Sequence, residues 1–248
     1  MEVLKPKIDI FDARKNDFEK IAGKWGVSPE TIERMEMQVC GGGWLFPMKD
    51  EQGQIFGHRI RWFKGGKGTL EGEHLGLFLP VDTIVGAIQV VTEGESDLAV
   101  ALELGITAIA RPCASACTDM IVKYLAGQRF SGITIIADRD SDDLGFREAE
   151  QLAETLLTNR HIVRVILPPE PYKDLRDWFL QANLDTKGFW DHARKFKWKT
   201  PADSPPCFFA IASSATLAVF DIFTIVESFS LAIQLIITPL LTTNQSKS

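Results

Sequence analysis

The chain has 248 residues, of which 45% are hydrophobic and 24% charged, and these fractions exclude a disordered or collagen-like protein. Its 27 Lys and Arg residues against 33 Asp and Glu residues give a net charge of −6, which argues against a protein that coats nucleic acid by bulk positive charge. The length allows one large domain or two small ones.

The cysteine content argues against a secreted protein. The chain has four cysteines and no Cys-x-x-Cys pair, so neither a disulfide scaffold nor a structural zinc site is predicted. Cys113 and Cys117 are separated by three residues, but no second pair or nearby His completes a tetrahedral set. The first residues lack the apolar stretch of a signal peptide. We therefore expect a cytoplasmic protein.

The first 80 residues are typical of a small α+β unit. Helical spacing runs from residue 18 to residue 24 and stops at Gly26. Ser28 and Pro29 then supply an N-cap and a first-turn proline, which predicts a second helix to about Met37. Residues 44–47 and 55–63, joined by a turn at 50–53, predict a β-hairpin.

The second hairpin strand and the loop after it carry a basic strip in an otherwise acidic chain. The strip contains Arg59, Arg61, Lys64 and Lys67, with no acidic residue between 55 and 70. One interpretation is a solvated strand face, and the other is a phosphate-binding surface, for which Arg and Lys are the natural donors. The residues alone leave both open.

From about residue 85 the pattern alternates between strands and helices. The predicted strands cover 88–92, 107–110, 133–137 and 162–167, and the predicted helices cover 97–104, 118–125 and 144–157. Short apolar strands separated by helices are typical of a parallel sheet covered by helices. An α/β fold is therefore predicted for this half.

Carboxylates follow two of these strands. Glu93 and Asp97 come after the first strand, and Asp138 and Asp140 come after the third. If those strands are neighbours, the acids converge at one edge of the sheet. Clustered carboxylates suit Mg²⁺ or Mn²⁺. Any single acid, Asp97 above all, could instead only cap a helix.

The end of the chain has a different composition. Between Lys199 and Lys247 there is no basic residue, and the only acids are Asp203, Asp221 and Glu227. The longest uncharged run, 204–220, is shorter than the roughly 20 residues of a spanning helix. Three hypotheses remain: a membrane-associated segment, an apolar helix packed on the body or a partner, and an abnormal terminus such as a frameshift product.

The two acidic segments resemble the Toprim family. The resemblance is carried by Glu93-Gly94-x-x-Asp97 and Asp138-x-Asp140, and it is strongest to bacterial primases and the primase half of phage primase-helicases. It spans roughly residues 25–184 and also includes three further motifs: Phe46-Pro47-x-x-Asp50-x-x-Gly53, His58-Arg59-Ile60-Arg61 and Lys173-Asp174-Leu175-Arg176-Asp177.

The resemblance implies a fold, a reaction and site residues. The implied fold is a Toprim-type parallel sheet with flanking helices, preceded by a small α+β primase-core subdomain. Glu93, Asp138 and Asp140 would be catalytic. Together with Asp97 they would hold Mg²⁺ or Mn²⁺, and Asp174 and Asp177 would complete the site. Four basic residues would contact nucleotide and template: Arg59, Arg61, Lys64 and Lys67.

The implied function is that of a DNA primase core, a nucleotidyltransferase that makes RNA primers from nucleoside triphosphates on single-stranded DNA in a phage or mobile element. Two alternatives are a Toprim-type metal-dependent nuclease and a non-catalytic nucleic-acid-binding module. The implied division is 1–84 for the α+β subdomain, 85–187 for the Toprim catalytic domain, and 188–248 for a linker and apolar tail.

The sequence departs from the family pattern in three places. Related primases tend to have a glycine in the loop after the second strand, where this chain reads Arg111-Pro112-Cys113-Ala114-Ser115. Nothing before Glu93 has zinc-ligand spacing, and no Walker-type phosphate-binding loop is present. The chain is therefore expected either to work with a replicative helicase and a zinc-binding module on other polypeptides, or to be a truncated or degenerate copy.

Overall fold

The computed structural model describes residues 9–81, 87–126, 128 and 130–203. The strands are β1 (Ile10–Asp12), β2 (Gln38–Cys40), β3 (Gly43–Lys49), β4 (Ile55–Trp62), β5 (Lys67–Thr69), β6 (Ile88–Glu93), β7 (Ala108–Arg111), β8 (Gly132–Ile136) and β9 (Val163–Ile166). The helices are α1 (Lys15–Trp25), α2 (Pro29–Glu33), α3 (Gly94–Glu103), α4 (Thr118–Ala126), α5 (Leu144–Thr158), α6 (Leu175–Ala182) and α7 (Thr186–Ala193), with a 3-10 turn at Pro201–Asp203.

The first half of the chain forms an antiparallel sheet in the order β1-β2-β3-β4-β5. The predicted hairpin is confirmed as β3 and β4, whose register pairs Trp44 with Arg61 and Phe46 with Arg59. Paired residues share a face of the sheet. Both arginines therefore lie on the same face as Trp44 and Phe46, which belong to the larger hydrophobic core.

The second half forms a parallel sheet in the order β7-β6-β8-β9, and the predicted α/β fold is confirmed. Because side chains alternate along a strand, Val90 joins one core cluster and Val91 the other. Helices α3, α6 and α7 contribute to the first cluster, and α4 and α5 contribute to the second. The sheet is thus covered on both faces.

A short connection joins the two sheets. Leu77 exchanges backbone hydrogen bonds with Lys49 of β3, at 2.7 and 2.8 Å, and Phe78 exchanges them with Ala110 of β7, at 2.9 and 3.1 Å. The first core cluster also runs through both halves, since it contains Trp25 of α1 and Leu98 of α3. This arrangement fixes the position of Arg59 and Arg61, the part of the basic strip that lies on β4, relative to the end of β6.

Several details differ from the sequence-based expectations. Helix α2 ends at Glu33 rather than near Met37, because Glu36 has a left-handed φ of 54° that no helix accommodates. Helices α6 and α7 were not predicted. The domain division remains a prediction, although its boundary after residue 187 falls inside α7, where Phe189 is fully buried.

The apolar tail, from residue 204 onward, lies outside the described residues. Within the described ranges, every helix is too short or too polar to cross a lipid bilayer.

Candidate active site

The predicted acids meet at the carboxyl edge of the parallel sheet. Glu93 is the last residue of β6, and Asp138 follows β8 by two residues. Strands β6 and β8 are adjacent and parallel, so both acids leave the sheet at the same edge. Asp140 is two residues further on, and its charge raises the pKa of both Glu93 and Asp138. The three acids therefore lie at the same edge of the sheet.

We define the acid cluster as Glu93, Asp97, Asp138 and Asp140; burial and neighbouring carboxylates raise the pKa of the first three. Burial, followed by the charges of Glu93, Asp174 and Asp140, raises the pKa of Asp138 to about 7. Burial is also the main reason that the pKa of Glu93 is raised. The pKa of Asp97 is raised well above its usual value by burial and by Asp174 and Asp138. A bound cation would relieve these penalties.

The turn after Glu93 explains the Glu-Gly pair. Gly94 has a φ of 79°, a left-handed conformation that glycine adopts without the steric cost of a side chain. Helix α3 begins at this residue. Asp97, in the first turn of α3, accepts a hydrogen bond from the backbone N–H of Arg176 at 3.2 Å. Asp97 therefore links the start of α3 to the start of α6.

The Asp138-Arg139-Asp140 loop is held by the segment that precedes α6. The backbone N–H of Arg139 donates to the carbonyl of Lys173 at 2.7 Å, and its side chain donates to the carbonyl of Pro168 at 2.7 Å. The Lys173 ammonium lies 3.3 Å from Asp140 Oδ1. The loop is also close to α5, because a β-carbon on Gly145 would lie 2.8 Å from the Asp138 carbonyl oxygen.

The motif that contains Asp174 and Asp177 lies at the start of α6. The Asp174 carboxylate caps this helix by accepting from the N–H of Asp177 at 2.7 Å. Asp174 also raises the pKa of both Asp97 and Asp138 by its negative charge. Asp177 accepts from the N–H of Lys173 at 3.1 Å. Asp174 thus borders the acid cluster, and Asp177 shapes the turn beside it.

The two arginines of the basic strip reach the ends of β6 and β7. Arg61 forms an ion pair with Glu95 of α3, which is 1% exposed, and its guanidinium lies 5.9 Å from the centre of the Trp25 ring. Arg59 is buried and donates to the carbonyl of Pro112 at 2.9 Å. Neither arginine is a solvated surface group, so both act as supports between the two sheets.

The two lysines of the strip differ in position. Lys67 is exposed at the start of β5, and its positive charge acts to lower the pKa of Glu93. Lys64 is exposed in the turn between β4 and β5. In the described part of the chain, Lys64 makes no ion pair with the acid cluster. The structure therefore brings Lys67 to the acids and leaves Lys64 at the rim of the antiparallel sheet.

Three charged residues near the acids were not assigned a role from the sequence. Arg111 is fully buried at the end of β7, pairs in register with Glu93 and acts to lower the pKa of Glu93. Glu95 binds Arg61, and Lys173 binds Asp140. A charged residue at the end of a buried strand was the available signal for Arg111, whereas the partners of Glu95 and Lys173 depend on tertiary packing.

The loop after β7 reaches back to Glu93. The backbone N–H of Ala114 donates to the Glu93 carboxylate and acts to lower its pKa. Arg59 holds the same loop at Pro112. Although this loop lacks the expected glycine, it still approaches Glu93 closely through its backbone.

The donor chemistry of the acid cluster fits a divalent cation. Asp138 Oδ1 is buried and accepts no hydrogen bond among the described residues, an arrangement that is costly unless another group binds the oxygen. In the described ranges, no three acidic, His or Cys side chains are placed close enough to hold a metal ion. Asp140 is paired with Lys173, and Asp97 with the Arg176 N–H. Asp140 and Asp97 thus already have partners in the described structure, whereas Asp138 Oδ1 has none.

The described fold is similar to those of solved primase cores. The E. coli primase catalytic core matches with a TM-score of 0.58 and 16% identity, covering 75% of each chain. A second match is a structure of bacteriophage T7 lagging-strand DNA polymerase interacting with primase domains bound to an RNA/DNA hybrid and dTTP. It has a TM-score of 0.54 and 23% identity, and it covers 68% of this chain and 88% of the other. A primase catalytic domain bound to single-stranded DNA matches with a TM-score of 0.57 and 16% identity, covering 79% of this chain and 74% of the other.

No family model matches the chain, and no curated protein matches it in sequence. The similarity to primase cores is therefore one of fold, and it confirms the fold that the sequence motifs led us to expect.

Proposed function

We propose that this chain is the Mg²⁺- or Mn²⁺-dependent catalytic core of a DNA primase, which joins ribonucleotides into primers on single-stranded DNA in a phage or mobile element. The observation that carries the proposal is the meeting of Glu93, Asp138 and Asp140 at one edge of the sheet, in a fold similar to primase cores. The similar structures that contain single-stranded DNA, or an RNA/DNA hybrid and dTTP, support the same substrates here.

Glu93, Asp138 and Asp140 would hold the metal, with Asp97 behind them. When bound, Mg²⁺ would polarise the α-phosphate, lower the pKa of the attacking 3′-hydroxyl and neutralise the pyrophosphate leaving group. Asp97 would orient the start of α3 through its hydrogen bond to Arg176. Asp138 is suited to this role because its buried oxygen has no donor among the described residues.

The basic residues would divide into two groups. Lys64 and Lys67 have exposed side chains and would contact the phosphates of nucleotide and template. Arg59 and Arg61 would instead position elements of the site through contacts between the two sheets. Arg59 holds the loop that carries the Ala114 N–H to Glu93, and Arg61 holds Glu95 in the first turn of α3.

The test is a primer-synthesis assay with single-stranded DNA, labelled ribonucleotides and Mg²⁺, with a zinc-binding module and a replicative helicase supplied as separate polypeptides. We expect oligoribonucleotides from the unmodified chain and at least about 100-fold fewer from Glu93→Gln. Glu154→Gln, at an exposed position of α5, is the matched control. Nicking of DNA without primers would assign a nuclease, and DNA binding without turnover would assign a binding module; either outcome rejects the proposal.

A further inference from the structure

A second basic surface lies on α7 and the segment after it. Residues 186–200 contain five basic residues and one acid, although the whole chain has a net charge of −6. The basic residues of this stretch are Lys187, Arg194, Lys195, Lys197 and Lys199. None of them belongs to the candidate active site.

Aromatic side chains anchor this stretch to the parallel sheet. Trp198 lies 4.2 Å from the Arg164 guanidinium, measured to the ring centre, and its ring covers Gly132 at the start of β8. The ring of Phe196 lies 5.3 Å from that of His192. Lys199 pairs with Val163 of β9 through two backbone hydrogen bonds, at 2.7 and 3.0 Å. The backbone of this segment is therefore fixed.

With the aromatic rings anchored, the intervening lysines face solvent. Lys195 and Lys197 are exposed, whereas Phe196 and Trp198 between and after them are half-buried. Lys199 binds Glu150 and Arg194 binds Asp191. Lys195 and Lys197 have no acidic partner in the part of the chain that the structure describes. Two unneutralised ammonium groups thus project from a rigid segment.

Among the described residues, the positive charge beneath this surface is also not paired with a carboxylate. Arg164 is 3% exposed, and it donates to Thr134 Oγ1 and to the Ala193 carbonyl, both at 2.9 Å. Both acceptors are uncharged. Burial, together with the nearby charge of Arg194, lowers the pKa of Arg164 to about 10. An anion bound at the surface would reduce this repulsion.

We propose that Lys195 and Lys197 form a second contact surface for single-stranded DNA, one that binds backbone phosphates outside the active site. The rings of Phe196 and Trp198 are already packed, so the contact would be independent of base sequence. Strand β8 runs from Gly132, under Trp198, toward Asp138, and Gly132 and Asp138 are separated by roughly 20 Å of extended chain. A template that bridges the two sites would stay attached between nucleotide additions. The inference rests on the proposed function, because a polynucleotide is the polyanion such an enzyme handles.

The experiment compares Lys195→Gln/Lys197→Gln with Lys15→Gln/Lys20→Gln in the full chain. The control variant removes the same charge from exposed positions of α1. Binding of fluorescent single-stranded DNA of about 3 nucleotides, which at about 3.4 Å per nucleotide is too short to bridge the two sites, and of about 24 nucleotides is measured over a range of salt concentrations. For the long DNA, we expect the 195/197 variant to lose about tenfold in affinity and its salt slope to fall by about 1.4, since each lost phosphate contact removes about 0.7. The short DNA should bind the two variants equally.

An unchanged salt slope for the long DNA would overturn the inference. So would equal losses in both double variants, because these would reflect net charge alone. If the 195/197 variant loses binding to phosphatidylserine vesicles but binds DNA as the unmodified chain does, the surface contacts a membrane instead, and the inference is rejected. If the unmodified chain makes primers but the 195/197 variant binds DNA normally, only this inference fails. If the unmodified chain binds no DNA, the proposed function fails with it.

Discussion

Arg61 of β4 forms an ion pair with Glu95 in the first turn of α3, two residues after Glu93. The Glu95 side chain is 1% exposed and that of Arg61 is 22% exposed, so the pair is largely shielded from water. It joins the antiparallel sheet to the helix that begins at the candidate active site. The basic strip of the sequence is thus partly a structural link between the two sheets.

This ion pair predicts a specific stability pattern. Arg61→Met should lower the free energy of unfolding by about 3 kcal/mol, because it leaves the Glu95 carboxylate buried without its partner. The double variant Arg61→Met/Glu95→Gln should recover much of that loss, since the uncompensated charge is gone. Urea unfolding of both single variants and the double variant measures the coupling. Strictly additive losses would contradict the buried ion pair.

The acid cluster predicts that, in the presence of a chelator, the effect of Asp138→Asn on the free energy of unfolding depends on pH. The pKa of Asp138 is raised from 3.8 to about 7 in the folded chain, so unfolding releases its proton and stability is lost as pH rises from about 4 through 7. Asparagine does not titrate. At pH 8 the variant should therefore be more stable than the unmodified chain, by at most about 4 kcal/mol.

The gain should shrink toward zero near pH 4, because the unmodified Asp138 is then protonated in both states. Asp12→Asn, at an exposed position of β1, is the control and should show no such gain. Added Mg²⁺ should reverse the order at pH 8, since the unmodified chain alone is then stabilised by the ion. If the unmodified chain is more stable than Asp138→Asn at pH 8 without metal, the raised pKa of Asp138 in the acid cluster is contradicted.

The turn at Gly94 predicts a cost for any side chain. Gly94→Ala should destabilise the protein by about 1–2 kcal/mol, because its φ of 79° is left-handed. Gly23→Ala in α1 is the control, since a β-carbon there meets nothing within 4 Å, and it should be neutral or stabilising by up to about 1 kcal/mol. Thermal unfolding compares the two. Equal stabilities would contradict the turn geometry.

The pairing of Lys173 with Asp140 predicts competition with metal. Lys173→Gln should increase Mn²⁺ affinity about two- to fivefold, because a partly exposed ion pair contributes less than about 1 kcal/mol. Lys123→Gln removes a similarly exposed partner, which lies 3.5 Å from Glu51, and should leave the affinity unchanged. Titration calorimetry measures both. A weaker Mn²⁺ affinity in Lys173→Gln would contradict the competition.

The sequence predicted the parallel sheet well because its strands are short, apolar and buried. Residues such as Ile133 and Ile135 have strong β-preference and mark β8 clearly. The adjacency of β6 and β8 was only a condition in the prediction, and tertiary structure supplied it. Strands β1, β2 and β5 have three residues each, which is too short for a period-2 pattern to be recognised.

The candidate site was predictable where it follows strand ends and not where it depends on contact between the sheets. Glu93 and Asp138 could be located because polar residues after parallel strands share an edge. The buried contacts of Arg59 with Pro112 and of Arg61 with Glu95 join residues 53 and 34 positions apart. No local pattern carries such pairings, so the sequence left open whether the arginines form a solvated strand face or bind phosphate.

The central claim is that Glu93, at the end of β6, takes part in metal-dependent nucleotide joining. The most direct test is the initial rate of oligoribonucleotide synthesis on single-stranded DNA at increasing Mg²⁺, measured for the unmodified chain, Glu93→Gln and Glu154→Gln. We expect Mg²⁺-dependent synthesis that falls by at least about 100-fold in Glu93→Gln and stays unchanged in Glu154→Gln. Equal rates for Glu93→Gln and the unmodified chain, or synthesis that persists without a divalent cation, would contradict this claim.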